Sequence, residues 1–168
     1  IEIATETINV FSDIYKKKWL QMMHNKLGLF GEDLKDESLI VDLLTWMHQN
    51  KADYTNTFCV LMNENIKEAK IYKDESFMGW KEQWQERLKL HNNSPEKSLK
   101  LMRSANPLVI PRNHKVEEAL EAANNDDLNP MKNLLKVLEK PYENQEGVSE
   151  YQSPAPSSDK KYQTFCGT

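Results

Sequence analysis

The stretch Asp74-Glu75-Ser76-Phe77-Met78-Gly79-Trp80-Lys81-Glu82-Gln83-Trp84-Gln85-Glu86-Arg87-Leu88-Lys89-Leu90 decides the fold class. Phe77, Trp80, Trp84 and Leu88 follow one another at intervals of three, four and four, which puts four large apolar side chains on one face of a helix. Lys81, Glu82, Glu86 and Arg87 fall largely outside that face and read as its solvated side. A strand would need an alternation of period two, and there is none.

The same period repeats on both sides of this stretch. Upstream, Ile8, Phe11, Tyr15, Trp19, Met22 and Met23 recur every three or four residues, and Gly28 supplies a helix stop. Asp36-Glu37-Ser38 announces a second helix with Leu39, Ile40, Leu43, Leu44 and Met47 as its inward stripe, ending near Asn50. Asp53 is placed to cap a third that carries Tyr54, Phe58, Leu61 and Met62. Downstream, Ser94-Pro95-Glu96 reads as an N-cap followed by proline in the first turn, with Leu99 and Met102 turned inward.

Asn106-Pro107 ends that helix. Pro107 and Pro111 bracket Leu108-Val109-Ile110 and force an extended link, because a residue before proline is driven out of the helical region. Asn113 is then read as the cap of a helix with Val116, Ala119, Leu120 and Ala123 inward, and Asn129-Pro130 opens the next, with Leu134, Leu135 and Leu138. The expectation is an all-α unit over residues 1–141 and an extended polar tail over 142–168, aperiodic and containing Ser153-Pro154-Ala155-Pro156-Ser157-Ser158. Trp19, Leu43, Leu44, Trp80, Trp84, Leu120, Leu134 and Leu135 are expected in the core.

Composition narrows the function classes. Of 168 residues 39% are hydrophobic and 29% charged, a polar balance that suits a piece of a larger body. The chain starts at Ile1 with no targeting pattern, and no apolar run approaches the roughly 20 residues that span a bilayer. Lys and Arg are interspersed with Asp and Glu around a net charge of −4, which argues against a nucleic-acid surface. Cys59 and Cys166 have no metal-type spacing and are too few for a disulfide scaffold, so a cytoplasmic setting is expected.

The five glycines write neither a dinucleotide fingerprint nor a phosphate loop, and Gly28-Leu29-Phe30-Gly31 reads as a helix stop rather than an RNA-binding loop. His24, His48, His91 and His114 form no pair at the spacing of a helical zinc site. The acidic pairs Glu32/Asp33, Asp36/Glu37, Glu117/Glu118 and Asp126/Asp127 read as caps and solvated faces. Cys59, between Phe58 and Val60, reads as a small core hydrophobe. No catalytic, cofactor-binding or metal-ligating set is expected here. Two residues resist a bland account: Arg112, a cation beside an apolar link, read as a structural anchor with a functional role as the minority alternative, and Cys166, a thiol in a polar tail.

Several strings resemble the carboxy-terminal region of the selenoprotein O family of kinase-like protein adenylyltransferases. They are Met22-Met23-His24-Asn25-Lys26-Leu27-Gly28-Leu29-Phe30, Asp42-Leu43-Leu44, Ala52-Asp53-Tyr54-Thr55-Asn56-Thr57-Phe58, and residues 80–88. Met102-Arg103-Ser104-Ala105-Asn106-Pro107 with Pro111-Arg112-Asn113-His114 is the strongest, followed by residues 119–123, Leu134-Leu135 and Lys140-Pro141-Tyr142. The chain departs from the family at Leu108-Val109-Ile110-Pro111, where an aromatic and a leucine without a second proline are usual.

The resemblance implies a kinase-like fold that transfers AMP from ATP to protein Ser, Thr or Tyr hydroxyls with Mg²⁺. It places the ATP-gripping lysine, the metal-binding Asn and Asp and the activation loop upstream, in an amino-terminal catalytic part that would be this segment's partner. It also implies a redox role for Cys166, third from the end, with a partner cysteine in that upstream loop. The rival expectation is a non-enzymatic helical module that docks on another protein through its apolar faces.

Overall fold

The computed structural model describes residues 2–62, 70–92 and 94–155. Among them are eight α-helices and two short 3-10 turns, with no strand. The helices are α1 (Glu2–Leu27), α2 (Asp36–Asn50), α3 (Tyr54–Leu61), α4 (Glu75–Lys89), α5 (Pro95–Ala105), α6 (Asn113–Asn124), α7 (Asn129–Leu138) and α8 (Ser149–Gln152). None is long and apolar enough to cross a membrane.

Helix ends follow the local chemistry. Asp53 accepts the Asn56 N–H at 2.8 Å, Asp74 accepts the Phe77 N–H and Ser94 accepts the Lys97 N–H, so α3, α4 and α5 each begin on a side-chain cap. Gly28 ends α1 with φ +69°, and two backbone bonds close the turn: Gly28 N–H to Asn25 O at 3.2 Å and Leu29 N–H to His24 O at 2.9 Å. A β-carbon at Gly28 would lie 2.9 Å from both the Ser98 carbonyl oxygen and Met102 Cγ, so glycine also lets α5 approach α1. Lys51 ends α2 with the same geometry at φ 52°, without glycine's freedom.

The chain divides into two compact units, Ile1–Leu108 with Tyr142–Asn144, and Val109–Pro141 with the described residues from Gln145. In the first, α1 packs on α5 and α3, and α2 on α4. Its centre is Met23, Leu27, Ile40, Leu43, Phe58, Met62 and Phe77, each no more than 1% exposed. An aromatic cluster fills the α2–α4 contact: Trp46 and Phe77 have centroids 4.6 Å apart, and Trp80 and Trp84 lie nearly parallel at 6.1 Å. In the second, α6 and α7 form a helical hairpin around Ala119 and Leu134.

Four of the eight expected core positions are buried and two half-buried, and two are corrected. Leu43, Trp80, Trp84 and Leu134 are buried, and Trp19 and Leu44 are half-buried. Leu120 and Leu135 are instead 53% and 55% exposed, because the hairpin buries a single narrow stripe of each helix. Arg112, not Asn113, occupies the N-cap position of α6 and makes no side-chain cap bond there. Within the expected tail, α8 forms one turn and Val148 is buried. The tail beyond residue 155, Cys166 included, lies outside the described residues.

Candidate functional site: two buried polar nodes

The first unit holds two groups of buried polar side chains. The first begins with Asp36, in the opening turn of α2 and 3% exposed. Arg87, in the last turn of α4 and 7% exposed, grips it with two parallel bonds, Nε to Oδ1 at 2.6 Å and Nη2 to Oδ2 at 2.9 Å. The Asp33 backbone N–H adds a bond to Oδ2 at 2.9 Å. His24 Nε2 stands 3.1 Å from the same oxygen, without the alignment of a hydrogen bond. Arg87 Nη2 also donates to the Phe30 and Gly31 carbonyls at 3.2 and 3.3 Å.

Burial by itself would raise the Asp36 carboxyl. The hydrogen bonds from Arg87 and Asp33 and the charges of Arg87 and His24 outweigh it and hold the group below its ordinary value. Both carboxylate oxygens are occupied by protein donors, so the node is built to be a charged clamp. It pins the loop after α1 to α2 and α4.

The second node joins the ends of α1 and α5. Lys26 Nζ donates to Asn106 Oδ1 at 3.1 Å and lies 4.8 Å from the centre of the Phe58 ring. Asn106, 1% exposed, returns its amide N–H groups to the Lys26 and Met102 carbonyls at 2.8 and 2.9 Å. One asparagine side chain thereby donates to a carbonyl at each of two helix ends, the Met102 carbonyl also taking the Asn106 backbone N–H at 2.9 Å. Burial pulls the Lys26 ammonium below its ordinary value, the nearby Cys59 thiol acting the other way. Cys59 is wholly buried, its Sγ 3.7 Å from the Pro107 carbonyl.

Neither node offers an open nucleophile or base. A cleft of about 750 Å³ between α4 and α5 has a mainly apolar floor of Trp84, Leu88, Leu99 and Met102, with Lys81 and Lys89 in its lining. Among the described residues no three His, Cys, Asp or Glu side chains gather as a metal ion requires. Arg112 is buried at the start of α6, its carbonyl accepting the Lys115 and Val116 N–H groups.

Two sequence readings are corrected at the first node. Asp36 opens α2, as the reading of a helix-start acid has it, but is buried in an ion pair rather than solvated; Arg87, read as largely outside the apolar face of α4, is buried on it. The signal was present in the spacing, since Phe77, Trp80, Trp84 and Arg87 are themselves three, four and three apart.

The model of a family described as protein adenylyltransferase SelO matches residues 2–139, from the first turn of α1 through all of α7. The chain belongs to that family. Over 168 residues it is 54% identical to a protein nucleotidyltransferase YdiU of Pelagibacter ubique, covering all of this chain and 35% of that protein. Proteins of the same name from Alcanivorax borkumensis and Nitrosococcus oceani are each 46% identical, with 100% and 99% of this chain covered and 35% and 34% of theirs. The chain therefore spans about a third of the length of these family members. Both nodes lie inside the stretch that the family model matches.

Proposed function

We propose that this chain is the carboxy-terminal helical part of a kinase-like protein adenylyltransferase, and that the catalytic residues lie in the rest of the enzyme. The observation that carries this reading is the family match over residues 2–139, within a chain a third as long as its relatives. In AMP transfer a protein hydroxyl oxygen attacks the α-phosphorus of ATP, the bond to the β-phosphate breaks, and pyrophosphate leaves. Such a reaction calls for a phosphate cradle and metal-binding carboxylates. The sequence writes no such cradle, and the described residues gather no metal ligands. ATP and Mg²⁺ are accordingly assigned to the amino-terminal part, which is this segment's partner, and protein hydroxyls to the substrate of the whole enzyme.

On this reading residues 1–141 complete the helical lobe and residues 142–168 form a tail that lies along another surface. Arg112 anchors the link after Pro107, and its burial supports a structural role over a catalytic one. Cys166 acts as a redox latch on the upstream catalytic loop while Cys59 stays inert, its complete burial supporting the distinction. The setting is cytoplasmic.

Calorimetry and AMP-labelling test the assignment. This chain alone should neither bind ATP at micromolar concentration with Mg²⁺ nor label a protein; such binding by the chain alone overturns it. For the latch, non-reducing peptide mass spectrometry of the longer enzyme should find Cys166 paired outside this segment, with activity changing on reduction. A Cys59–Cys166 bridge, or a Cys166 that stays a thiol under oxidising conditions, overturns it.

A further inference from the structure

The helix α1 is apolar on two sides. At about 100° per residue, Phe11 lies roughly 120° around the axis from Met23 and roughly 160° from Leu27. Met23 and Leu27 are each 0% exposed and form the side that packs into the first unit. The other side is bare: Phe11 is 65% exposed, Ile14 55%, Tyr15 61% and Met22 41%. The Phe11 and Tyr15 rings stack on each other with centroids 6.2 Å apart and touch no other ring among the described residues. Lys18 is the single charge on that arc, on a stem long enough to lie flat along an apolar surface.

A helix that faces water on one side has no use for a second apolar face. Two adjacent aromatics and two aliphatic side chains make a patch too large to be scattered surface hydrophobes. The relatives supply a larger body. They match 99–100% of this chain, yet it covers only 34–35% of theirs, so each carries about twice as much polypeptide again outside the match.

We infer that the Phe11–Tyr15 face of α1 is the surface on which the remaining two thirds of the enzyme docks. The inference rests on reading this chain as part of a longer adenylyltransferase and names the place where the two parts join. The first unit's own core holds the lower end of the helix, where Met23 and Leu27 are buried, while residues 10–18 are exposed all round. The exposed arc holds the catalytic part against it, so α1 is the element through which this segment supports the site.

The test replaces the matched third of the Pelagibacter ubique relative with this chain and compares that chimera with this chain alone by hydroxyl-radical footprinting, against an added peptide standard. Labelling of Phe11 and Tyr15 should fall at least fivefold in the chimera. Equal labelling in both overturns the inference. So does protection in the chain alone that grows with its concentration to the chimera's level, since a second copy would then be the occupant. Phe11→Glu should leave the melting of this chain alone unchanged and lower that of the chimera by several degrees; an unmoved chimera also overturns it. If the chimera is insoluble, the two parts are co-expressed as separate chains, and capture of one by the other should fall at least tenfold with Phe11→Glu; undiminished capture, or none by the unmodified chain, counts against the inference. No readout uses catalysis, so an inactive chimera with protected Phe11 bears only on the proposed function, and an active one with exposed Phe11 only on the docking face.

Discussion

The indole N–H of Trp84 meets the main-chain carbonyl of Leu27, the last residue of α1, at 2.9 Å. A helix end leaves carbonyls without partners, and here a side chain from α4 supplies one inside the core. Trp84→Phe keeps most of the apolar volume and removes the donor together with part of the ring, a loss of ring that Trp80→Phe shares. It should cost about 1–3 kcal/mol, the penalty for a buried acceptor left unmade. Trp80→Phe removes the bond to Leu39 O at 2.8 Å, but that carbonyl sits inside α2, where the helix ladder also uses it, so the loss should be smaller. Urea unfolding of the two variants checks the order; equal losses would contradict it.

The Asp36–Arg87 clamp predicts an acid limb in the stability profile. The folded Asp36 carboxyl is held below its ordinary value, so its contribution is fully present above the unfolded value near about 3.9 and is lost as the pH falls toward the lower folded one. Asp36→Ala leaves Arg87 charged and buried without its carboxylate, and should cost about 3–5 kcal/mol at neutral pH. The same variant should flatten the profile between pH 5 and the acid transition, as measured by thermal melts across pH. A variant with the parent's slope would mean that other carboxylates set it.

Two helix ends share one geometry with opposite residue choices. Gly28→Ala adds a β-carbon 2.9 Å from the Ser98 backbone oxygen at a left-handed φ, so it should lose at least the roughly 1–2 kcal/mol of the backbone conformation. Lys51→Gly, at φ 52° and with an exposed side chain, should move the other way and gain up to about 1 kcal/mol. Denaturant midpoints should therefore shift in opposite directions.

The helices were legible because their signals are local. Asp53, Asp74 and Ser94 cap within three residues of themselves, and the spacing from Phe77 to Trp84 needs no knowledge of the partner helix. The polar nodes were not read because each joins residues distant along the chain. Arg87 reaches back 51 positions to Asp36, and Asn106 reaches 80 to Lys26. In sequence an arginine beside an apolar stripe looks solvated until the carboxylate that neutralises it is placed. Phe11 and Tyr15 show the converse, since their periodicity reads as core and yet both rings stand exposed.

Leu134 and Leu135 put the difference between pattern and packing to a direct test. The sequence offers two adjacent leucines on α7, and neighbouring residues point about 100° apart, so one narrow stripe cannot bury both. Met131, Leu134 and Leu138, three and four apart, form the covered stripe, with Leu134 7% exposed and the other two half-buried. Leu135 lies off it at 55%. In this chain Leu134→Ala should cost about 2–5 kcal/mol, the range for an aliphatic side chain removed from a packed site. Leu135→Ala should stay within about 0.5 kcal/mol, as at other open surface positions. Because alanine is the better helix former, no propensity penalty blurs the comparison. Equal losses in chemical unfolding would mean that α7 buries both leucines in solution and that the hairpin stripe is drawn too narrow.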